Sequence, residues 1–397
     1  MANEYRATEK LYDKDAYATN FEATILQVEP SPKGLSLILD KTLFFPEEGG
    51  QNCDKGILIS DEAEYTVKYV GLEKRDGVEV ICHYVDENDA SLCAGAKVQG
   101  KIDWKDRYDK MQNHTGEHIL SGIIHSEFGY DNVGFHLNDE LFTMDFNGVI
   151  TKEQLEFLEK RANEIVMENV AVYGEYLPDE ELAVLDYRSK KEIEGAVRIV
   201  TIEGYDKCAC CAPHVKSSIE IGLIKIVKAE NWKGGMRLTV LCGSRAYKDY
   251  AKKHEILQTL SRSFSTSEDK LANVVEGLKN NLSDLEFKMA DLECRMATEK
   301  LLQSPVQFFE TLSPKALTKA MDDAMKQKPS ELFMVFVGND ENGYRSVAGS
   351  LEQNVEEVGK MLRENLGAQG GGRGPMVQGM VSAKKVEILE VVQWYIF

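Results

Sequence analysis

Two short segments restrict this chain more than any other feature: NHTGEHIL at residues 113–120 and CCAPHV at residues 210–215. Each carries donors suited to a metal ion, so a fold that uses them together must bring distant stretches of chain to one point. His114 and His118 stand four apart where Met111, Ile119, Leu120, Ile123 and Ile124 follow a helical spacing, so both imidazoles leave one face of the helix. Cys210 and His214, spaced C-x-x-x-H around Pro213, add a thiolate and a third imidazole. Three nitrogens and one sulfur suit a tetrahedral zinc, one per chain. Cys208 and Cys211 compete with Cys210 for the sulfur position, and spacing alone leaves that choice open. Thr115 occupies the place that a general-base glutamate takes in an H-E-x-x-H protease helix. Glu117 reads as a solvated helix charge.

The rest of the chain reads as a multidomain α+β protein. Residues 1–105 contain short β-like runs, FEATILQVEP, GLSLILD, KGILIS, YTVKYVGLE and VEVICHYV, expected to form a small barrel or sandwich. Residues 106–249 combine the histidine helix, an amphipathic helix near 152–169 and further strands around the cysteine cluster. Residues 250–303 contain no proline and place Leu271, Val275, Leu278, Leu282, Leu285, Met289, Leu292 and Met296 at alternating spacings of four and three. That is a heptad seam, read as a long coiled-coil-like helix that either packs on its own protein or joins two copies in a homodimer. Residues 304–397 form a last α/β domain. Its helices are expected near 314–326 and 352–366, its strands at LFMVFVG and KKVEILEVVQWYIF, and a Gly-rich turn lies at 367–379.

The composition narrows the function. Eight cysteines in 397 residues are too few for a disulfide framework. No apolar run is long enough for a membrane span, and the first twenty residues lack a secretory pattern, so a cytoplasmic location is expected. A net charge of −19 argues against gripping nucleic acid by bulk electrostatics, while leaving room for local recognition.

Taken together, the HxxxH and CxxxH segments resemble the paired motifs of alanyl-tRNA synthetase editing domains and of the free-standing AlaX editing proteins. The likeness extends to DKTLFFPEEGGQNCDKG at 40–56, similar to the family's Gly-Gly-Gln segment, and to GGGRGPMVQGMVS, similar to the Gly-rich motif of a C-terminal DHH-associated domain. No class II catalytic domain or ATP-binding motif is recognised, so the chain is expected to deacylate charged tRNA rather than to charge it.

The resemblance implies an N-terminal β-barrel, a zinc-binding editing domain, and Cys210 as the sulfur ligand. It implies a zinc-dependent deacylase acting on alanine tRNA charged with serine or glycine. The alternative is a non-catalytic tRNA-binding module with a structural zinc. Gln51 and Cys210 are assigned to the catalytic step; Thr42, Gly49, Gly50, Gln51 and His136 to the substrate pocket, His136 being the weaker candidate and reading first as a satisfied core histidine. Gly370, Gly371, Gly372, Arg373 and Gln378 are assigned to contacts with the tRNA body. One departure stands out: the synthetases' Cys-Gly-Gly-Thr-His is Cys210-Cys211-Ala212-Pro213-His214 here.

Overall fold

The computed structural model describes residues 5–86, 92–189, 195–372 and 374–396. The chain falls into two compact units, one reaching to Ile256 and the other starting at Leu257. Arg373, expected to contact tRNA, lies outside the described residues.

The first unit opens with a curled antiparallel sheet of seven strands. Their order is Ala63–Val67, Gly56–Ser60, Lys97–Ile102, Asn20–Ser31, Gly34–Leu39, Val78–Val85 and Tyr69–Arg75. The twelve-residue strand Asn20–Ser31 drives the curl. Its first half pairs with Lys97–Ile102 and its second with Gly34–Leu39, with a register shift between Ile25 and Gln27. Such an irregularity bends a strand and sharpens its twist. In KVQGKI the burial alternates, with Val98 and Ile102 facing inward. There they meet Phe21, Ile25, Leu37, Phe44, Leu58 and Tyr65.

A mixed α+β body follows, built round helix α1 (Trp104–Ile123). The Asp103 side chain accepts from the Asp106 amide and so satisfies one of the orphan donors at the helix start. From Lys110 to Ile123 every residue of α1 is buried. A helix enclosed on all sides cannot send its polar side chains to water, and each must find a partner inside. Glu117 shows this. Far from being solvated, it is buried, and its Oε1 accepts from Ser121 Oγ and Asn132 Nδ2 at 2.6 Å each.

Around α1 lie a four-stranded antiparallel sheet (Asn132–Leu137, Phe142–Phe146, Gly235–Cys242, Ile224–Trp232) and a three-stranded one (Val172–Tyr176, Arg198–Ile202, Asp206–Ala209). Helix α2 (Lys152–Glu168) starts with a Thr151–Gln154 capping box. Gly122 permits a close approach of the smaller sheet, since a Cβ there would stand 3.1 Å from the Asp206 Cβ.

One buried ion pair ties the two parts of this unit together. Arg107 of α1 is fully buried and donates through Nε to both oxygens of buried Asp54 at 3.0 Å. Its Nη1 donates to the Ala16 carbonyl at 3.0 Å and its Nη2 to the Leu43 carbonyl at 2.5 Å. Asp54 Oδ2 accepts from the Phe45 amide at 2.6 Å as well. The segment 43–54 is thereby fastened to the helix.

The second unit contains a five-stranded sheet in the order Val306–Phe309, Phe333–Asn339, Gly343–Gly349, Met376–Val381, Gln369–Gly371. The first pair is parallel and the rest are antiparallel. Helices Pro314–Gln327 and Val355–Leu366 form near the expected positions.

Two readings of the sequence differ from the structure in this region. KKVEILEVVQWYIF is a helix, Lys385–Ile396, rather than a strand. Ile388 and Val392, four apart, are both buried, and Glu387 accepts from the Lys384 amide at the helix start. Packing of one helical face overrides the β-branched composition. The stretch 250–303 is two helices, Gly243–Ser263 and Leu271–Gln303, interrupted at Ser265, which takes a positive φ of 50°. Along the second helix Val275, Leu278, Leu282, Leu285, Met289, Leu292 and Met296 remain exposed, Leu292 by 66%.

Removing one partner of a buried ion pair strands the other. Asp54→Ala is expected to lower unfolding free energy by about 3–5 kcal/mol, read from urea denaturation of the full chain. A loss below about 1 kcal/mol would show that Arg107 finds compensation elsewhere.

Candidate metal centre and adjoining cleft

Helical spacing sets His114 and His118 on one face of α1, and the turn after strand Asp206–Ala209 carries Cys210 and His214 to them. Donor atoms of all four residues lie within 4.8 Å of one another. Cys210 Sγ is 3.5 Å from His114 Nε2 and 3.4 Å from His214 Nε2. Zinc bonds of about 2.3 Å to sulfur and about 2.0–2.1 Å to nitrogen, at tetrahedral angles, put sulfur and nitrogen roughly 3.5 Å apart. The donor set and its spacing therefore fit a tetrahedral ion.

The other ring nitrogens strengthen that fit. His114 Nδ1 donates to Gln51 Oε1 at 2.7 Å. Thr115 Oγ1 donates to the Met111 carbonyl at 2.8 Å, which leaves it to accept from His214 Nδ1 at 2.9 Å and from the Val215 amide at 3.3 Å. His118 Nδ1 stands 3.2 Å from Asp206 Oδ2, at ion-pair distance though off the line of a good hydrogen bond. Asp206 is held in turn by Arg188, whose Nε and Nη2 donate to its two oxygens at 2.7 and 2.8 Å. With Nδ1 occupied, Nε2 is the nitrogen left to bind a metal at His114 and His214, the pattern in which outer partners orient first-sphere ligands.

The three cysteines of the cluster differ electrostatically. Burial opposes ionisation of Cys210, but His114, with His118 and His214 around the sulfur, outweighs it and holds the thiol well below its ordinary range. Burial pushes Cys208 up to about 12 and Cys211 higher still. Cys210 is thus the sulfur poised as a thiolate. Burial works against protonation of His118 as well, yet the contact with Asp206, aided by Cys210, raises it to about 9; at His214 burial prevails and lowers it to about 3.

Beside the centre an open cleft of about 490 Å³ is lined by residues 47–52 together with His136, Leu137 and Asn138. Gly49 and Gly50, with φ of 62° and 87°, form the two central positions of a hairpin turn that L side chains rarely adopt. A Cβ on Gly50 would strike the Phe135 carbonyl at 2.3 Å. Leu137 N donates to Gly50 O at 2.7 Å and Asn52 N to Leu137 O at 3.0 Å, stitching the turn to strand Asn132–Leu137. Gln51 is consequently immobilised, with no exposed surface, against His114.

Of the residues expected in a substrate pocket, Gly49, Gly50, Gln51 and His136 line this cleft and Thr42 does not. His136 is exposed, which removes its reading as a core histidine. Thr42 is fully buried, its hydroxyl 2.8 Å from Nε2 of buried His83 and accepting from the Phe44 amide. In the second unit Gly370, Gly371 and Gln378 line a small hollow with Ser346 and Arg363, and Gln378 Oε1 accepts from Arg345 at 3.2 Å. Gly372 is exposed nearby in the chain. Asp206, Arg188 and the supporting role of Thr115 escaped the sequence reading, because nothing in their spacing distinguishes them from ordinary polar residues.

A family model described as tRNA synthetases class II (A) matches residues 5–106, and one described as threonyl and alanyl tRNA synthetase second additional domain matches 197–238. An alanyl-tRNA editing protein AlaX-M from Methanosarcina barkeri is 37% identical over 236 residues, covering 56% of this chain and 94% of its own length. An AlaX-L from Pyrococcus horikoshii is 27% identical, covering 96% of this chain and 97% of its own. The alanine–tRNA ligase of Pyrococcus abyssi is 30% identical over 97% of this chain, which spans only 43% of the ligase. Among the described residues no helix is long and apolar enough to cross a membrane.

The outer partners make a measurable claim. Asp206→Asn is expected to weaken zinc affinity by roughly 10–100-fold, read by chelator competition, because the carboxylate that orients His118 is lost. Unchanged affinity would mean that His118 is oriented without it.

Proposed function

Because the chain belongs to the AlaX family of alanyl-tRNA editing proteins, we propose that it hydrolyses the aminoacyl ester of mischarged alanine tRNA, seryl first and glycyl second. The observation that carries this reading is the convergence of three imidazoles and the Cys210 thiol beside a cleft walled by the Gly49–Gly50 turn and Gln51. His114, His118, Cys210 and His214 would hold one zinc, which when bound supplies a fixed positive charge and Lewis acidity next to that cleft.

The chain's own groups account for the remaining steps. An ester is already activated, so the site needs to position a water, stabilise the charge that grows on the carbonyl oxygen, and exclude competing geometries. Water oxygen bonds to the carbonyl carbon, the bond to the ribose oxygen breaks, and the proton passes to that leaving oxygen. Gln51 is suited to the charge-stabilising role. Its Oε1 is anchored by His114, while its Nε2 is buried and has no hydrogen-bond partner among the described residues. A fixed unmet donor costs little reorganisation when an oxyanion forms.

Other parts of the chain take supporting roles in this proposal. The curled sheet acts as the family's N-terminal barrel, and residues 304–397 act as a DHH-associated tRNA-holding module. In that module Gly370, Gly371, Gly372, Arg373 and Gln378 meet the tRNA body. The exposed seam from Val275 to Met296 joins two copies in a homodimer, and the protein works in the cytoplasm. The four-donor centre also favours one rival, a tRNA-binding module whose saturated zinc is purely structural.

The deciding experiment incubates the protein with alanine tRNA charged with serine, glycine or alanine and follows amino acid release. Serine is expected to be freed fastest, and Gln51→Ala is expected to slow it by about 10²–10³-fold. Binding of charged tRNA with all three esters intact would establish the non-catalytic rival. For the seam, Leu278→Glu with Leu285→Glu is expected to convert a dimer into a monomer by light scattering, since charges at heptad core positions are costly to bury. A parent protein that is already monomeric would end that part of the proposal.

A further inference from the structure

The cleft beside the metal centre carries an unexpected charge for a protein of polyanions. Glu47 and Glu48 line it, together with His136, and no lysine or arginine is among its lining residues. Carboxylates there repel phosphate and favour a cation.

Glu48 and Gln51 face each other across the Gly49–Gly50 turn. Glu48 N donates to Gln51 O at 3.2 Å and Gln51 N to Glu48 O at 3.0 Å. Residues that exchange both backbone bonds send their side chains to the same face of a hairpin, with Cβ atoms about 4.5–5.5 Å apart. On that face Gln51 reaches His114, and the Glu48 carboxylate lies against the Cys211 thiol, next in sequence to Cys210. Each side chain also holds one buried polar atom without a hydrogen bond among the described residues, a donor at Gln51 Nε2 and an acceptor at Glu48 Oε2. The nearby Lys10 ammonium is engaged elsewhere, by Glu79 at 2.9 Å. Unmet buried polar atoms are costly unless a ligand satisfies them.

A paired donor and anionic acceptor at this spacing match one end of an amino acid ester, whose carbonyl oxygen and α-ammonium are separated by only two carbons. We propose that Glu48 binds the α-ammonium of the aminoacyl group while the Gln51 amide faces its ester oxygen, so that the protein selects esters bearing a free amine. The inference rests on the aminoacyl-ester reading and adds a property to it. Esters whose nitrogen is acylated, as in a peptidyl or formylated chain end, carry no cation for Glu48 and place bulk against it.

The test uses a binding measurement that does not depend on hydrolysis. Acceptor-stem minihelices ending in 3′-amino-3′-deoxyadenosine are linked through a stable amide to serine or to N-acetylserine, and titrated into the zinc-loaded parent and Glu48→Gln. The parent is expected to bind the free-amine form at least about tenfold more tightly, and Glu48→Gln to lose most of that preference while retaining its zinc. Equal binding of the two probes by the parent, binding of neither, or a preference that survives in Glu48→Gln would overturn the assignment. Release of serine from charged tRNA by the parent, measured alongside, reports on the hydrolase reading separately.

Discussion

The contact between Arg107 and Asp54 is the constraint on which the site depends. Both side chains are fully buried, so neither charge can be relieved by water, and each must be met by the other and by backbone groups of segments 16, 43 and 45. A buried pair of this kind is a weak source of stability but a strong source of geometry, because any other arrangement leaves an ion stranded. Arg107 and His114 are seven residues apart on α1, two helical turns along one stripe. The same helix therefore fixes the loop of the curled sheet at one end and the imidazoles at the other. Lys110, buried between them, donates to the Cys53 carbonyl at 2.6 Å and adds a second tie.

From this frame the outer partners of the imidazoles acquire their roles. Gln51 arrives from the curled sheet's loop, Thr115 from α1 itself, and Asp206 from the three-stranded sheet. Each ring is thus oriented from a different part of the first unit. A small displacement of any one part would turn a ring and spread the donor atoms beyond the separations a single ion tolerates.

Much of this was legible in the sequence, for physical reasons that differ by residue. Spacing along a helix is enough to place His114 and His118 together, and the tight C-x-x-x-H segment is enough to pair Cys210 with His214. Spacing left Cys210 level with Cys208 and Cys211; the family resemblance favoured Cys210, and it is the Cys210 sulfur that lies among His114, His118 and His214. Glu117 was misread because helical periodicity marks faces and cannot reveal that a helix is enclosed on every side. His136 was misread in the opposite sense, since a histidine between apolar neighbours on an edge strand alternates outward. The last helix, Lys385–Ile396, has a composition that suits a strand equally well, and only the burial of Ile388 and Val392 separates the two.

The two halves of the donor set are separated by 96 residues, counting from His114 to Cys210. An ion held between them would close a loop of that length, and loop-closure entropy grows only with the logarithm of length, so the long span costs the folded chain little more than a short one. In the unfolded ensemble the same closure would remove many conformations, the logic usually applied to disulfides. The eight cysteines of this chain form no disulfide among the described residues. A metal cross-link would do that work without an oxidant, and chelation rather than reduction would be what releases it.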